Sequence, residues 1–203
     1  IRRQRQMCIR DRYMKQITGV RYHLRRGDSA QIHKLLHSGS VRLGFVGAML
    51  EPDSMTYFPM LEDHLVMCTA NNPHYQALKK QNVYGRDLLR EPTVAREEGS
   101  GTDRTVQSYM RNMGLADQDL HIVARVDDPE AIKRMTAQGV GVSVLSALSV
   151  ASEVDDGRLL TFPMDPQGLH RSIYLVYPRE TILSQSEQAF VRFCRQMAIR
   201  RNL

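Results

Sequence analysis

The stretch Arg96-Glu97-Glu98-Gly99-Ser100-Gly101-Thr102 joins an apolar run to a periodic one. The preceding residues 92–95 predict a short buried strand. The apolar side chains that follow recur at helical spacing, at Val106, Tyr109, Met110 and Met113. Two glycines let the backbone turn tightly, and either Ser100 or Thr102 can cap the first helical turn. The stretch therefore predicts a strand-to-helix turn.

A helix start of this kind is suited to binding a small anion. The first N–H groups of a helix have no partner within it, and the helix dipole makes that end electropositive, which is worth roughly 0.3–2 kcal/mol to a bound anion. A capped helix that binds nothing remains the alternative. Two nucleotide-binding motifs are excluded, because Arg104 stands where a dinucleotide fingerprint has its third glycine and the chain has no Gly-Lys pair for a P-loop.

The composition is that of a globular domain without a cofactor motif. The 203 residues include 42% hydrophobic and 25% charged side chains. No apolar run approaches the ~20 residues of a membrane span, and no signal peptide opens the chain. The three cysteines, Cys8, Cys68 and Cys194, are odd in number and widely spaced, which indicates a reducing cytoplasm and two core residues in Cys68 and Cys194. We therefore expect a cytoplasmic protein that needs no cofactor, metal or membrane.

The positive charge is concentrated at one end of the chain. The net charge is +6, and residues 1–26 contain nine basic side chains and one acid, so the remainder is slightly acidic. Such an arm can contact nucleic acid or anionic lipid, but it has no helix-turn-helix pattern and no zinc-ligand spacing. We expect residues 1–12 to be disordered or an artefact of the gene sequence, because they show no apolar periodicity.

Strand and helix patterns alternate through the rest of the chain. Strands are predicted at residues 20–24, 41–46, 55–61, 64–69, 92–95, 120–126, 139–146, 159–163 and 170–177. Helices are predicted after the cap Asp28 or Ser29, from Asn71-Asn72-Pro73 through Lys80, from Thr102, after the cap Asp128, and from about Leu183. Residues 20–46 read as a strand-helix-strand crossover, which gives a parallel pair. The order predicts the α/β class with mainly parallel sheets.

Three further patterns lack a catalytic or metal-binding signature. His33 and His37 are spaced as a metal pair, but no third ligand is near them, and we interpret both as solvated. In Gly139-Val140-Gly141-Val142, the glycines precede a strand, so they permit either tight packing or a ligand contact. Asp127 and Asp128 are explained by helix capping. Because the chain has no nucleophile elbow and no zinc-protease motif, we expect no enzymatic activity.

Five short segments, in this order and spacing, resemble one known domain family. They are Gly27-Asp28-Ser29, Gly39-Ser40-Val41-Arg42-Leu43-Gly44-Phe45-Val46, Arg96-Glu97-Glu98-Gly99-Ser100-Gly101-Thr102, Ala131-Ile132 leading to Gly139-Val140-Gly141-Val142-Ser143-Val144-Leu145, and His170-Arg171-Ser172-Ile173-Tyr174-Leu175-Val176. Over residues 13–199 the chain resembles the effector-binding domain of LysR-type transcriptional regulators.

The resemblance implies a two-lobed fold like that of type 2 periplasmic binding proteins, with a small ligand between the lobes. Lobe I would comprise residues 13–68 and 169–203, and lobe II residues 69–168, with hinges near 68–70 and 168–170. Lobe closure on an anionic metabolite would then shift the subunits of a homodimer or homotetramer. The family's ligand-contacting positions correspond to Ser29, Gly47, Ala48, Ser100, Gly101, Thr102, Val142 and Ser143.

The chain departs from the family pattern in two places. Arg42 stands where the family usually has an aspartate in a strand, so a base replaces a buried acid. The family's first strand and its DNA-binding winged helix-turn-helix have no match, so we expect a 5′-truncated fragment whose contact with DNA requires a missing N-terminal domain. A solute-binding protein of a membrane transporter, which has the same fold, is the alternative function.

Overall fold

The computed structural model describes Tyr13 and residues 20–199, and the prediction for residues 1–12 lies outside this range. In chain order, the helices and strands are α1 (Ser29–His37), β1 (Gly44–Val46), β2 (Met55–Ala70), α2 (Pro73–Lys80), β3 (Thr93–Arg96), α3 (Gly101–Asn112), β4 (Ile122–Val126), α4 (Pro129–Ala137), β5 (Ser143–Ser146), α5 (Ala147–Asp155), β6 (Leu159–Pro163), β7 (Leu169–Pro178) and α6 (Gln185–Ile199). Short 3₁₀ turns occur at Gly85–Leu88 and Asp117–Asp119. No helix within the described part of the chain could span a membrane.

Of the predicted caps, Asp28 and Asp128 are confirmed, and Asn72 is a further cap. The Asp28 carboxylate accepts a hydrogen bond from Gln31 N at 2.7 Å, and Asn72 and Asp128 cap α2 and α4 in the same way. Proline occupies the first turn of both α2 and α4, where its missing N–H costs nothing. Gly39, at φ +69°, ends α1 in the left-handed conformation that glycine adopts without strain.

The chain contains two compact units. The first comprises the residues up to Leu61 together with those from Ser172 onward, and the second comprises Glu62–Arg171. The division between the units falls within β2 and within β7. In β2 it lies before the hinge predicted near residues 68–70, and in β7 it lies after the hinge predicted near residues 168–170. Both strands run uninterrupted through the division, which is why loop-like residues do not mark it.

Two hydrophobic clusters lie in the described part of the first unit. One contains Met60, Leu175 and Cys194, with Tyr13 packed on Phe190 and Phe193 nearby, at ring-centroid distances of 4.9 and 5.0 Å. The other, beneath α1, contains Ile32, Leu36, Val46, Met55 and Val176. The predicted inner stripe of the last helix is confirmed at Cys194 and Met197, which are both buried.

The second unit is built around Val94, Ile132, Leu145 and Leu159 on one side and Met67, Val142 and Phe162 on the other. Cys68 is fully buried here, and burial raises the pKa of its thiol to about 12. The predicted role of Cys68 and Cys194 as core residues is therefore confirmed, because both side chains are buried.

Four predictions about strands and helices are corrected by the structure. Residues 20–24 form no strand, and only Gly44–Val46 of residues 41–46 does, so the predicted parallel crossover is absent. Alternating apolar and polar residues do not by themselves make a strand, because a strand also needs a partner. Strand β1 pairs antiparallel with β7, which lies near the far end of the chain, and not with residues 20–24. The two strands predicted at 55–61 and 64–69 are one, β2, and α5 was not predicted.

The strand directions are also less parallel than predicted. Strand β3 pairs parallel with β4, but β1 with β7 and β2 with both β5 and β6 are antiparallel. Alternating strands and helices give parallel neighbours only when successive strands pair, and in the larger sheet the partners are distant in sequence.

Candidate functional site

Helix α3 begins at a serine N-cap, Ser100. Ser100 Oγ accepts a hydrogen bond from Asp103 N at 3.2 Å, and the Asp103 carboxylate accepts one from Gly99 N at 3.0 Å. Gly99 has φ +81°, a conformation that a side chain would strain. Of the two predicted caps, Ser100 is the one that the structure uses.

Two backbone donors are left over at this helix start. In the part of the chain that the structure describes, the N–H groups of Gly101 and Thr102 have no hydrogen-bond partner, while Arg104 N donates to Ser100 O at 2.9 Å. Gly101 and Thr102 are both buried. Buried backbone N–H groups are almost always paired, so this pair is a natural position for an oxygen of a ligand or of water.

The Thr102 hydroxyl belongs to a charged network that we name the Asp63–Arg171 network. Arg171 Nη1 donates to Thr102 Oγ1 at 2.9 Å, and its Nε and Nη2 both lie 2.9 Å from Asp63 Oδ2. Ser146 Oγ donates to Asp63 Oδ1 at 2.6 Å. The network links strands β2, β5 and β7 to the first turn of α3, and its four residues all belong to the second unit.

Two arginines near the start of α3 face carboxylates. Arg171 faces Asp63, and Arg125 Nη1 lies 3.3 Å from Asp103 Oδ1 and its Nε 3.6 Å from Glu98 Oε1. The positive potential at this helix start therefore comes from the helix end and from the Arg104 guanidinium, whose Nε donates to Gly99 O at 3.1 Å.

Val142 and Ser143 lie on the chain segment that leads into β5, against which α3 packs. Val142 N donates to Pro92 O at 2.7 Å and Val142 O accepts from Val94 N at 2.9 Å, so its backbone groups are occupied. Ser143 Oγ is fully buried and has no partner among the described residues. A Cβ on Gly141 would lie 2.4 Å from Pro92 O, which indicates that this glycine serves tight packing.

A small cavity of about 40 Å³ lies between α3 and the β3–β4 sheet. Thr102 and Asp103 line one side, and Met67, Leu120 and Val144 are among its apolar walls. A cavity of this size holds a few water molecules at most, whereas metabolite pockets have volumes of about 300–1,000 Å³. It is therefore too small to hold a metabolite as it stands.

The remaining predicted positions, Ser29, Gly47 and Ala48, belong to the first unit. Ser29 is buried at the start of α1, and its carbonyl accepts a hydrogen bond from His33 Nδ1 at 2.5 Å. His33 Nε2 lies 2.6 Å from Tyr57 Oη. The same oxygen accepts hydrogen bonds from the N–H groups of Leu50 and Glu51, each at 3.2 Å.

The interpretation of His33 as solvated is therefore wrong. Its ring is 2% exposed and bridges α1 to β2, while His37 is exposed and pairs with Glu51 at 2.5 Å, which lowers the Glu51 pKa. No group of three metal-ligating side chains is found in the described residues. Arg42 also differs from expectation, because it is exposed and donates to Glu187 Oε1 at 3.2 Å and to Ile182 O.

Sequence reasoning did not single out Asp63, Ser146 or the side chain of Arg171. The available signal was Asp63 itself, an acid flanked by residues of a long apolar strand. A buried carboxylate requires a cation and hydrogen-bond donors, and Arg171 and Ser146 supply them.

Comparison with known proteins identifies the family. The family model described as LysR substrate binding domain matches residues 7–198. The chain therefore belongs to the LysR substrate binding domain family, and the resemblance found in the sequence is confirmed. Family membership favours a regulator domain over the solute-binding protein of a transporter.

Two curated relatives indicate the range of proteins in which similar sequences occur. The chain is 26% identical over 181 residues to the HTH-type transcriptional activator CmpR of Synechocystis, covering 89% of this chain and 58% of CmpR. It is 28% identical over 177 residues to a phosphonates import ATP-binding protein PhnC of Anaeromyxobacter dehalogenans, covering 87% of this chain and 35% of that protein. The chain thus spans about a third to three fifths of the length of these relatives.

One solved structure confirms the fold. The regulatory domain of Synechocystis PCC6803 CcmR, determined in complex with 2-PG, has a TM-score of 0.80 and 24% sequence identity, covering 96% of this chain and 90% of that chain. The predicted α/β fold of the type 2 periplasmic-binding-protein kind is thereby confirmed.

Proposed function

We propose that this domain binds a small oxyanionic effector at the start of α3, at a site we name the α3 N-terminal site: Ser100, Gly101, Thr102, Val142 and Ser143. The observation that carries the proposal is the pair of buried, unpartnered N–H groups of Gly101 and Thr102. Binding rather than catalysis is the proposed activity, in keeping with the effector-binding domains of the family.

The chemistry of the site favours an acceptor of hydrogen bonds. Two backbone N–H groups converge on one end of a 12-residue helix, and the helix dipole adds to their attraction for negative charge. The Ser100 and Thr102 hydroxyls lie in the same turn and can donate to the same group. A carboxylate, sulfate or phosphate ester meets these requirements. The CcmR regulatory domain was solved in complex with 2-PG, so a domain of this fold can bind a small ligand.

Replacement of Thr102 tests the site. Thr102→Val is expected to weaken binding of 2-PG and of inorganic sulfate roughly tenfold in calorimetry, because a hydrogen bond to a charged group is worth about 1.5–3 kcal/mol. Thr136→Val is the matched control, since Thr136 is equally buried and its hydroxyl has no partner in the described structure. Equal effects of the two substitutions, or no saturable binding of either probe to the wild type, would count against the site.

Ser29, Gly47 and Ala48 are proposed as further effector contacts, on the basis of the family resemblance. The hydrogen bond from His33 to the Ser29 carbonyl and the bonds from Leu50 and Glu51 to Tyr57 hold their neighbourhood in place. Ser29→Ala is expected to weaken binding of an effector whose polar group reaches this residue, and calorimetry with 2-PG measures it.

We propose that the whole protein regulates transcription in the cytoplasm, as a homodimer or homotetramer that contacts DNA through a separate domain. The support is the name of CmpR, an HTH-type transcriptional activator of which this chain covers 58%. The upstream reading frame tests the proposal, because it should encode roughly 90 residues with a helix-turn-helix pattern. Sedimentation of the purified protein tests the oligomeric state.

A further inference from the structure

A buried histidine joins two segments of the first unit. His33 Nδ1 lies 2.5 Å from the Ser29 carbonyl oxygen, at the start of α1, and His33 Nε2 lies 2.6 Å from Tyr57 Oη, on β2. The N–H groups of Leu50 and Glu51 both donate to the same Oη. We name these groups the His33–Tyr57 clamp, because they hold the start of α1 and the segment before β2 together.

The donors and acceptors of the clamp balance when the histidine ring is neutral. The Ser29 carbonyl can only accept, so Nδ1 carries the ring proton and Nε2 is left as an acceptor. The Tyr57 hydroxyl donates its proton to Nε2, while its oxygen receives the two backbone N–H groups. Each proton of the clamp then has an acceptor.

A second proton on the ring disturbs this balance. The new Nε2–H points at Tyr57 Oη, so three donors converge on an oxygen with two lone pairs, and the hydroxyl proton loses its acceptor. His33 is only 2% exposed, so water cannot readily replace a lost partner at the ring. Because an unpaired buried donor is costly, protonation weakens at least one bond of the clamp.

The charged groups around the ring do not replace that bond. The Glu51 carboxylate is engaged by His37 and by the Ser54 hydroxyl, and it is 41% exposed, so water screens its attraction for a charge on His33. The hydrogen bond from His37 lowers the Glu51 pKa, and the charge that His33 gains in acid lowers it further. The other titratable or charged groups on the surrounding parts of α1, β2, β7 and the segment before β2 are Asp28, Lys34, Asp53, Tyr57 and Tyr174.

We propose that the His33–Tyr57 clamp is an acid-sensitive switch of the first unit, closed while His33 is neutral and opened when the ring takes up a proton. Histidines ordinarily titrate between pH about 5 and about 8. Since the closed clamp suits only the neutral ring, its contribution is fully present at the upper end of this range and is lost as the pH falls.

Opening of the clamp frees the start of α1 and the segment that follows Gly47 and Ala48. Ser29, Gly47 and Ala48 are the effector contacts proposed for this unit, so acid is expected to loosen them together. Only this link to the effector rests on the proposed function. The clamp itself is tested without any ligand.

Amide hydrogen exchange of the ¹⁵N-labelled chain tests the switch. Protection factors, which correct for the intrinsic effect of pH on exchange, are measured for the N–H groups of Leu50 and Glu51 at pH about 7.5 and about 5.5. His33→Gln supplies a side chain that cannot gain a proton. His37→Gln is the matched control, because it removes the exposed histidine of the same helix and its contact with the Glu51 carboxylate.

In the wild type, the protection of both amides is expected to fall roughly tenfold at the lower pH, which is the loss expected for about one hydrogen bond. His37→Gln is expected to keep this fall and His33→Gln to abolish it. Constant protection in the wild type, a fall that persists in His33→Gln, or a fall that disappears in His37→Gln would overturn the proposal.

The ring nitrogens of the wild type give a second test that does not depend on the folding of a variant. Their ¹⁵N chemical shifts are expected to show a protonated Nδ1 and an unprotonated Nε2 at the higher pH. The loss of protection at Leu50 and Glu51 is expected to follow the arrival of the second proton on His33. A ring that already carries both protons at the higher pH, or one that gains the second while both amides stay protected, would refute the switch.

Discussion

At the scale of single residues, the first unit depends on one buried histidine and one tyrosine hydroxyl. His33 spans from the Ser29 carbonyl to Tyr57 Oη, and that oxygen also accepts the N–H groups of Leu50 and Glu51. The Ser29 carbonyl can only accept, so His33 Nδ1 carries a proton, and in that singly protonated ring Tyr57 Oη donates to Nε2. The start of α1 and the segment before β2 are thereby fixed to each other.

Tyr57→Phe is expected to lower the free energy of unfolding by about 2–3 kcal/mol. The substitution leaves His33 Nε2 and two N–H groups without their partner, and each unpaired buried group costs about 1–3 kcal/mol. Urea unfolding followed by circular dichroism measures the change. Tyr174→Phe is the control, because Tyr174 packs edge-on against Tyr57 with ring centroids 5.9 Å apart and its hydroxyl has no hydrogen bond among the described residues. A loss of stability no larger than that of the control would contradict the role given to Tyr57.

Residue-scale predictions from sequence succeeded where the chemistry is local. Asp128, and the pairs Asp28 or Ser29 and Ser100 or Thr102, are predicted as caps because a cap depends only on the next three residues; the structure uses Asp28, Ser100 and Asp128. His33 was misread, since its position on α1 does not reveal that Tyr57 lies above it. The partners of Asp63 were missed for the same reason, because Arg171 lies 108 positions along the chain.

At the scale of elements, helices α4 and α5 are joined by a buried ion pair. Lys133 Nζ lies 2.9 Å from Glu153 Oε1, with both side chains 8% exposed, and Lys133 also donates to Ser149 O. Burial by itself raises the Glu153 pKa, but hydrogen bonds from Lys133 and Ser152 outweigh it and the pKa is lowered. The carboxylate is therefore charged in the folded protein wherever it is charged in the unfolded chain.

Glu153→Gln is expected to destabilise the protein by about 3 kcal/mol at neutral pH, because it leaves the Lys133 ammonium buried without its counter-charge. Glu130→Gln removes the exposed partner of the same lysine and is expected to cost under about 1 kcal/mol. Chemical unfolding of the two variants and the wild type measures both. Equal losses would contradict the assignment of Glu153 as the buried partner.

The same pair predicts how stability changes with acid. Because the Glu153 pKa is lower in the folded state, its contribution is fully present above the ordinary value of 4.5 and is lost as the pH falls through the folded pKa. The difference in stability between wild type and Glu153→Gln is therefore expected to shrink between pH about 5 and about 3. A difference that grows on acidification would contradict this sign.

Element-scale predictions failed where pairing decides the outcome. The alternating residues 20–24 were predicted to be a strand, but a strand needs a neighbour, and β1 pairs with β7 instead. Strand β2 was divided in two at Glu62-Asp63-His64, because a charged run reads as a break. In the structure β2 is one continuous strand through these residues, because Arg171 neutralises the Asp63 carboxylate. Helix α5 was missed between two better-marked strands.

At the scale of the whole molecule, the two units share two strands. Strands β2 and β7 each contribute residues to both units, and Asp63 and Arg171 lie close to the division in sequence. Their network reaches Thr102 in the second unit, so an anion bound at α3 would contact a residue that is bonded to Arg171 of β7 and, through Arg171, to Asp63 of β2. We expect binding at α3 to be felt in β2 and β7 through this network.

The most direct test of an oxyanion site at α3 is a titration of the ¹⁵N-labelled protein with sulfate, followed by amide chemical shifts. The account predicts that the N–H resonances of Gly101 and Thr102 move saturably, while Glu130 N, already capped by Asp128 at the start of α4, stays in place. Saturable shifts at other amides, with Gly101 and Thr102 unmoved, would contradict it.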